Sequence, residues 1–560
     1  MTDRSDEQRR RFSHRALPAL GGLAVISLAA GLAFGAGAQS GGERTAADFA
    51  AAWERGDYRA MHAMLDAASR RAHSLAEFRR AYREAAATAT ATSISAGEPG
   101  DESNGTITVP VEVRTRVFGR LRFELRVPVS DEKVTWGPLL AFPGLRPGEA
   151  LSRLSRPPER GTLLSRDDKV LAEGPADARS SPLEAIAGSI AGTLAPEETA
   201  EERNALYARG FPPDWPVGQS GLELAFQDRL IGRAGGRLIA GERVIARARP
   251  RQARPVHTTI DTRLQEAAVV ALAERLGGIA ALDARNGEIR ALAGIAFSAP
   301  QPPGSTFKIV TATAALEAGI VKPRTEFPVE SAAIIDGVEL ENAGGEFCGG
   351  SFRNSFAHSC NSVFAPLGVE LGAEALVDAS ERFGWNAEPV VPGEVPSTLP
   401  PAVEIKTPLE IGSTAIGQFR TLATPLVLAS AAQTIAARGV RAIPTLALGE
   451  RTRRVRVTSP KIARTVRSMM VDVVAYGTGT AAALTGVKVA GKTGTAELED
   501  TRDPETGETA PSDPTNTDAW FTAFAPARRP EIVVAVMLIR AGAGGATAAP
   551  AARVVLDAAL

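Results

Sequence analysis

Lysine, cysteine and histidine are all scarce in this sequence of 560 residues. It contains eight lysines among 63 basic residues, together with two cysteines and five histidines. Without a Cys-x-x-Cys pair or a Cys/His cluster, the sequence argues against a structural zinc site, so no metal ligand is assigned. Arginine does not give up its proton, so any chemistry that needs a neutral amine must use one of these few lysines.

Charge of one sign is also lacking, because the formal net charge is −1 and no long basic run follows the N-terminus. This balance argues against a nucleic-acid-binding protein. Apolar residues make up 44% and charged residues 23% of the chain, as is typical of a globular protein. The length predicts about three domains.

The N-terminal segment predicts export from the cytoplasm. The stretch Ala16–Gly42 has no charged residue, and it follows a cluster of arginines. Its length and this asymmetry predict a cytoplasmic tail over 1–16 and a transmembrane signal-anchor over 17–38. Ala36-Gly37-Ala38 also resembles a signal-peptidase site, which leaves a cleaved signal peptide as the alternative. Either alternative places the bulk of the protein outside the cytoplasm, and the first makes the chain a single-pass protein of the cell membrane.

The pattern of apolar residues predicts a small α+β domain over 43–150. Helical spacing runs from Thr45 to Leu65 and from Ser74 to Ala87, and an alternating hairpin pattern follows from Gly105 to Val129. The Arg- and Pro-rich stretch Arg247–Pro255 then predicts a linker.

Beyond this linker the sequence predicts a further domain over 255–560. Gly278–Leu282 and Glu288–Gly294 are predicted to form two strands joined by a turn, and the apolar run Ile532–Ile539 predicts a buried strand. The final residues, Ala551–Leu560, predict a helix that packs on the same sheet.

A serine and a lysine stand three residues apart at the predicted start of a helix. Ser305 and Lys308 precede the helical pattern Ile309–Gly319 and should share one face of the first turn. The helix N-terminus favours a developing anion. This arrangement suits a serine that is activated by a neutral lysine amine. Ser130 and Lys133 have the same spacing, but they lie in a charged segment that predicts a solvated loop.

The tripeptide Ser359-Cys360-Asn361 is the second candidate element. Its serine could relay a proton, and its asparagine could hold a lysine and a substrate carbonyl, although such a tripeptide is also a common turn signal. Cys348 and Cys360 flank this segment. They are predicted to form either a disulfide outside the cytoplasm or two buried free thiols.

Lys492-Thr493-Gly494-Thr495 is the third candidate element, and it follows a strand pattern at Val487–Ala490. A glycine in this position allows a substrate backbone to lie against the strand edge. The lysine and the two threonines could bind a terminal carboxylate.

The three elements together resemble the signature of penicillin-binding proteins. The chain is similar to a class B penicillin-binding protein, a monofunctional D,D-transpeptidase, from about His257 to the C-terminus. Residues 151–250 resemble the dimerisation or pedestal domain of that family. Residues 43–150 resemble the N-terminal domain of the MecA type, whose fold is like that of nuclear transport factor two (NTF2-like).

The resemblance implies a multidomain α+β and α/β protein. Its catalytic domain would be of the penicilloyl-serine transferase (β-lactamase-like) fold, with an antiparallel sheet flanked by helices. The roles implied by the family are Ser305 as nucleophile, Lys308 as general base, Ser359 as proton relay, Asn361 as substrate-orienting group, Lys492 as the group that tunes Ser359, and Thr493, Gly494 and Thr495 as substrate-binding residues. The backbone N–H groups of Ser305 and Thr495 would form the oxyanion hole.

The implied activity is peptidoglycan cross-linking through an acyl-enzyme, without a metal or organic cofactor. The implied partners are stem peptides that supply a D-Ala-D-Ala donor and an amine acceptor, β-lactams, the membrane, and proteins of division or elongation. The sequence does not distinguish a role in division from one in elongation or sporulation.

Two other functions remain open at this point. A D,D-carboxypeptidase or β-lactamase uses the same three elements, and a non-catalytic scaffold of a division or elongation complex could retain the fold. Single residues also have alternative interpretations: His358 as a base, Trp520 and Phe521 as cleft walls or core, and Glu341 and Glu346 as cleft rim or solvated surface.

Overall fold

The computed structural model describes residues 40–498 and 514–560. The predicted cytoplasmic tail over 1–16 and the predicted anchor over 17–38 lie outside the described residues. Among the helices within these two ranges, none combines the length and the apolar character that a membrane span requires.

The described chain contains both helices and strands. The α-helices are α1 Gly41–Glu54, α2 Tyr58–Ala63, α3 Ala67–Ala72, α4 Leu75–Ala89, α5 Glu184–Ala191, α6 Ala200–Ala208, α7 Gly221–Ala225, α8 Gln227–Leu230, α9 Thr262–Leu272, α10 Lys308–Ala318, α11 Phe352–Ala357, α12 Asn361–Leu371, α13 Ala373–Phe383, α14 Pro408–Ala415, α15 Pro425–Ala436, α16 Pro460–Ala475 and α17 Ala548–Ala559. The strands are β1 Ala91–Ala96, β2 Glu102–Ser103, β3 Thr106–Thr115, β4 Gly119–Ser130, β5 Lys133–Val134, β6 Leu151–Arg156, β7 Leu163–Leu164, β8 Val170–Ala172, β9 Leu194–Ala195, β10 Val217–Gly218, β11 Gly235–Ala240, β12 Arg243–Ala248, β13 Val256–His257, β14 Gly277–Asp283, β15 Ile289–Gly294, β16 Glu326–Glu330, β17 Ala332–Ile335, β18 Val338–Glu341, β19 Cys348–Ser351, β20 Val440–Ala442, β21 Arg454–Arg456, β22 Ala490–Glu497, β23 Thr517–Ala525 and β24 Ile532–Leu538.

The chain folds into two compact units. The first comprises the described residues up to Arg160 together with Ala195–Val217 and Ile231–Ala253, and the second comprises Gly161–Leu194, Gly218–Leu230 and Arg254–Leu560. The segment predicted as a pedestal over 151–250 therefore contributes to both units. The predicted domain boundaries stay predictions.

The first unit contains an α+β region, as the sequence predicts for this part of the chain. Its antiparallel sheet has the order β1-β3-β4-β5, and β2 pairs with β3. Alternate side chains of β3, such as Val109 and Val111, are buried in one core with Phe49 of α1 and Phe78 of α4. The predicted hairpin is confirmed, and its turn ends at Gly119, which has a positive φ of 74°.

The single helix suggested by the spacing from Thr45 to Leu65 is two helices in the structure. Gly56 lies between α1 and α2 with a φ of 68°, a conformation that glycine adopts without a steric cost. Asp57 then begins α2, because its side chain accepts a hydrogen bond from the backbone N–H of Ala60. The break follows from local turn chemistry that the apolar spacing does not reveal.

The second unit is built on an antiparallel sheet with the order β15-β14-β24-β23-β22. All seven residues of the central strand β24 are buried, as the apolar run predicts. Val533 and Met537 face one hydrophobic core, whereas Val534 and Val536 face another. Since successive side chains point to opposite faces, the strand is covered by helices on both sides, with α9 and α17 on one of them. The predicted sheet flanked by helices is confirmed.

Candidate active site

The candidate nucleophile lies on a short 3₁₀ turn, Gly304–Phe307, that leads directly into α10. In such a turn residues three apart lie on the same side, which places Ser305 and Lys308 on one face. The turn is held firmly, because the backbone N–H of Gly304 donates to Gly417 O at 3.0 Å. Ser305 itself is half-buried. Its hydroxyl therefore belongs to an anchored segment.

Lys308 is fully buried in the second unit. Its Nζ donates to Ser359 O at 2.7 Å and to Asn361 Oδ1 at 2.6 Å, and it lies 3.4 Å from Ser359 Oγ. A neutral amine has two N–H groups, and the two short hydrogen bonds use both of them. The lone pair of a neutral Lys308 is therefore left to receive a proton.

The Ser359-Cys360-Asn361 segment forms a tight turn between α11 and α12. Ser359 has a φ of 63°, which is uncommon for a residue other than glycine. A residue keeps such a backbone conformation only where the surrounding structure holds it in place. A second hydrogen bond fixes the orientation of the Asn361 side chain, because its Nδ2 donates to Glu341 O at 2.6 Å. This contact turns the amide oxygen of Asn361 toward Lys308.

A disulfide joins Cys348 of β19 to Cys360 in the middle of this turn. The structure thus selects the bonded form among the two alternatives that the sequence left open. The bond ties the turn between Ser359 and Asn361 to a strand, and it closes a short loop with a sequence separation of 12.

Replacing both cysteines by serine is expected to lower the free energy of unfolding by about 2–3 kcal/mol, because a cross-link of this loop size restricts the unfolded chain. Urea unfolding of the double variant and the parent chain measures this difference. Thiol titration of protein that is denatured without reductant provides the check. Two reactive thiols in the parent would contradict the disulfide.

Lys492 supplies the second buried amine of the site, from the middle of β22. Its Nζ donates to Ser359 Oγ at 2.8 Å and to Thr493 O at 3.1 Å. Ser359 Oγ therefore lies between the two lysine amines. The structure brings together three of the chain positions predicted from separate motifs, namely Lys308, Ser359 and Lys492.

The remaining residues of the third motif lie beside the nucleophile turn. Thr493 Oγ1 is 2.5 Å from Thr478 Oγ1, and Thr495 Oγ1 accepts a hydrogen bond from the backbone N–H of Gly544 at 3.3 Å. A Cβ at Gly494 would stand 2.8 Å from Pro303 O. The glycine is therefore required by the close approach of the turn that carries Ser305. This contact gives a reason for the glycine that the sequence does not reveal.

Gly304, on the turn that carries Ser305, approaches β22 just as closely. A Cβ at Gly304 would stand 2.6 Å from Thr495 O, which is closer than ordinary van der Waals contact. Gly304 also has a φ of 50°. Two glycines thus allow the nucleophile turn and β22 to pack backbone against backbone.

Glu341, considered above as cleft rim or solvated surface, contacts the site through its carbonyl. Sequence reasoning missed three other residues at or beside the site: Thr478, Gly544, and Asn342, whose Oδ1 accepts from the backbone N–H of Ser362. They come from separate segments of the chain. The one available signal is the density of glycine around two of them, at Gly477, Gly479 and Gly545. Closely spaced glycines indicate that the backbone turns sharply or approaches another segment, but they do not indicate which residues come into contact.

The alternative candidates have other surroundings. The ring of His358 lies against Tyr476, with 6.1 Å between centroids. Trp520 and Phe521 are fully buried, each in a different hydrophobic core. Ser130 pairs with Lys133 in the β4–β5 hairpin of the first unit. Both residues are exposed, which agrees with their interpretation as a solvated segment.

Burial changes the proton affinity of both lysines. It lowers the pKa of Lys308 well below the ordinary value, and the positive charge of Lys492 lowers it further. Burial alone lowers the pKa of Lys492 to about 7. The neutral form of Lys308 is therefore more accessible than that of a solvated lysine, which would hold its proton up to about pH 10.4.

The rate constant for acylation by penicillin is expected to rise with pH and then level off. Below the pKa of Lys308 the amine is protonated and has no lone pair, so the rate falls as the pH falls. Labelling time courses between pH 5 and 9 measure this profile, with circular dichroism at each pH to verify the fold. A rate that decreases as the pH rises through this range would rule out an amine base.

Comparison with known proteins agrees with this geometry. The family described as penicillin binding protein transpeptidase domain matches residues 277–557. The peptidoglycan D,D-transpeptidase PbpA of Mycobacterium tuberculosis is 37% identical over 302 residues, which cover 47% of this chain and 56% of that protein. The chain thus aligns with little more than half the length of this curated relative.

Solved structures have a similar fold. The D,D-transpeptidase domain of a peptidoglycan glycosyltransferase from Eggerthella lenta is 28% identical, with a TM-score of 0.58, and covers 72% of this chain and 99% of its own. Penicillin-binding protein A of M. tuberculosis in its penicillin G acyl-enzyme complex is 27% identical, with a TM-score of 0.54 and the same two coverages.

Proposed function

We propose, from the premise that this chain belongs to the penicillin-binding protein transpeptidase family, that it is a peptidoglycan D,D-transpeptidase acylated on Ser305. One observation carries the proposal: Lys308, Ser359, Asn361 and Lys492 form one hydrogen-bonded cluster that begins three residues after Ser305. The cluster holds a buried amine whose pKa is lowered, which is the requirement for activating a serine hydroxyl.

The acylation step transfers one proton and exchanges one bond. Ser305 Oγ attacks the carbonyl carbon of the penultimate D-Ala while its proton passes to the Lys308 amine. The backbone N–H groups of Ser305 and Thr495 stabilise the tetrahedral oxyanion. When the C–N bond breaks, a proton returns through Ser359 Oγ to the leaving amine, and D-Ala departs. The product is an ester on Ser305 with a neutral Lys308.

Deacylation repeats these events with a different amine. The acceptor amine of a second stem peptide attacks the ester carbonyl and gives a proton to Lys308. The C–Oγ bond then breaks, and the Ser305 oxygen recovers its proton. A β-lactam follows only the first step, because its leaving nitrogen remains tethered in the adduct. Thr493, Gly494 and Thr495 on β22 would lie along the bound peptide, with both threonines facing its carboxylate.

The finer classification rests on the parts of the chain outside the matched region. The chain is of the class B type, with a MecA-type, NTF2-like N-terminal domain over 43–150 and a pedestal over 151–250. The helices packed on an antiparallel sheet in the first unit support this assignment. The chain is a single-pass membrane protein whose catalytic part is extracytoplasmic, and its partners include division or elongation proteins.

Mass spectrometry of the full chain after incubation with penicillin G tests the proposed activity. The expected product is one penicilloyl adduct per chain on the tryptic peptide that contains Ser305, stable for at least several minutes. Rapid loss of the adduct with release of hydrolysed penicillin would favour a hydrolase. The absence of any adduct would favour a scaffold without catalysis.

Cell fractionation tests the proposed location. A signal-anchor predicts that the full chain pellets with membranes and resists extraction by carbonate, and that its N-terminal peptide is retained. Release of a shortened chain beginning near residue 39 would show a cleaved signal peptide in place of an anchor.

A further inference from the structure

One cavity of the second unit, which contains the proposed catalytic cluster, is lined by arginines. It is an open pocket of about 400 Å³, and its lining includes Arg285, Arg438, Arg467, Arg528, Arg529 and Glu531. These residues come from the β14–β15 turn, the end of α15, the middle of α16 and the β23–β24 turn. The catalytic cluster uses other elements, so the pocket is a separate feature of the unit.

The positive charges of this pocket are poorly compensated. Arg285 has a partner, because its Nη2 lies 3.4 Å from Asp283 Oδ2. In the part of the chain that the structure describes, Arg438, Arg467, Arg528 and Arg529 make no ion pair with a carboxylate. Glu531 is the single carboxylate in the lining.

The unpaired arginines of the pocket contrast with some other arginines of the same unit. Arg382, for example, binds Glu317 and Asp378, and Arg179 binds Glu223. Arg438, Arg467, Arg528 and Arg529 instead line one pocket together. Partial burial lowers the pKa of Arg467, and the positive charges of Arg438 and Arg528 lower it further, so these arginines repel one another at a half-buried position.

Arginine does not lose its proton in proteins, so a bound anion would relieve this repulsion. A monovalent anion would offset one of the charges, whereas a phosphate group that carries two or more charges would offset several. The planar guanidinium group also matches phosphate oxygens with two parallel hydrogen bonds. The pocket volume falls within the usual range for small-ligand sites, about 300–1,000 Å³.

We propose that this arginine pocket binds a multiply charged phosphate group, either as a free phosphate or pyrophosphate or as part of a lipid headgroup. Arg467 forms the half-buried floor, and Arg438, Arg528 and Arg529 supply the exposed rim. The site lies outside the proposed transpeptidase chemistry and does not depend on it.

Calorimetric titration of the full chain in neutral detergent tests the site, with sodium pyrophosphate as the probe. Saturable binding of one pyrophosphate per chain is expected, and it should weaken as sodium chloride is raised. The double variant Arg467→Gln, Arg528→Gln should lose at least tenfold in affinity. Arg263→Gln is the matched control, because Arg263 is an exposed arginine of the same unit outside the pocket.

Two further measurements make the result decisive. Penicillin labelling of every variant verifies that the catalytic unit is folded, and if the double variant loses labelling, the single variant Arg529→Gln replaces it. Soluble dihexanoylphosphatidic acid, whose phosphomonoester can carry two negative charges, separates the two sources. Competition with pyrophosphate shows that a lipid headgroup is admitted, and pyrophosphate binding without competition restricts the site to free phosphates. No saturable binding, an equal affinity in the pocket variant, or equal binding of acetate would overturn the proposal.

Discussion

Replacing Ser305 by alanine is expected to abolish covalent labelling by penicillin completely. The substitution removes the oxygen that forms the ester, and Ser359 Oγ, which accepts a hydrogen bond from Lys492 Nζ at 2.8 Å, is proposed to relay a proton and not to attack the carbonyl. Mass spectrometry of the intact chain before and after incubation measures the loss as a missing adduct.

The chain contains its own control for this experiment. Ser130 has the same spacing to a lysine but lies in an exposed hairpin of the first unit, so Ser130→Ala should label like the parent. Removing one hydroxyl from the half-buried Ser305 should change the free energy of unfolding by no more than about 1 kcal/mol. An adduct that persists in Ser305→Ala at another residue would assign the nucleophile elsewhere.

Replacing Lys308 by arginine is expected to slow acylation by about 10³-fold, within the range that a general base contributes. Arginine keeps the positive charge and the capacity to donate, but it does not provide a neutral nitrogen at any accessible pH. The rate constant for labelling at saturating penicillin measures the loss. If charge alone were needed, the arginine variant would retain most of the rate.

A second variant separates chemistry from packing. Lys308 is fully buried, so arginine could also disturb the site through its size. Lys308→Met has a similar length without the amine, and it should be equally slow. Lys133→Arg, on the exposed hairpin, should leave the rate unchanged. A Lys308→Met chain that retains more than a tenth of the parent rate would exclude Lys308 as the base.

Much of the fold and the core of the site could be predicted from local patterns. Apolar and polar residues alternate in β3 and β4, which indicates strands that are buried on one face. The continuous apolar run of β24 indicates a strand that is buried on both faces. Lys308 and Lys492 could be identified because lysine is rare in this chain and because each lies in a motif with a defined chemical role.

Other features depend on contacts that no local pattern records. The hydrogen bond between Thr478 and Thr493 and the one between Gly544 and Thr495 join segments that are distant in sequence. The lowered pKa of Lys308 likewise requires burial of the whole side chain, which sequence spacing alone does not report.

The paired glycines at 304 and 494 have a mechanical consequence. A Cβ at Gly304 would stand 2.6 Å from Thr495 O, and a Cβ at Gly494 would stand 2.8 Å from Pro303 O, so the two main chains pack directly against each other. One of these segments bears the attacking oxygen, and the other is the strand proposed to bind the peptide. We therefore expect substitutions elsewhere that push on this strand to alter reactivity and peptide affinity together.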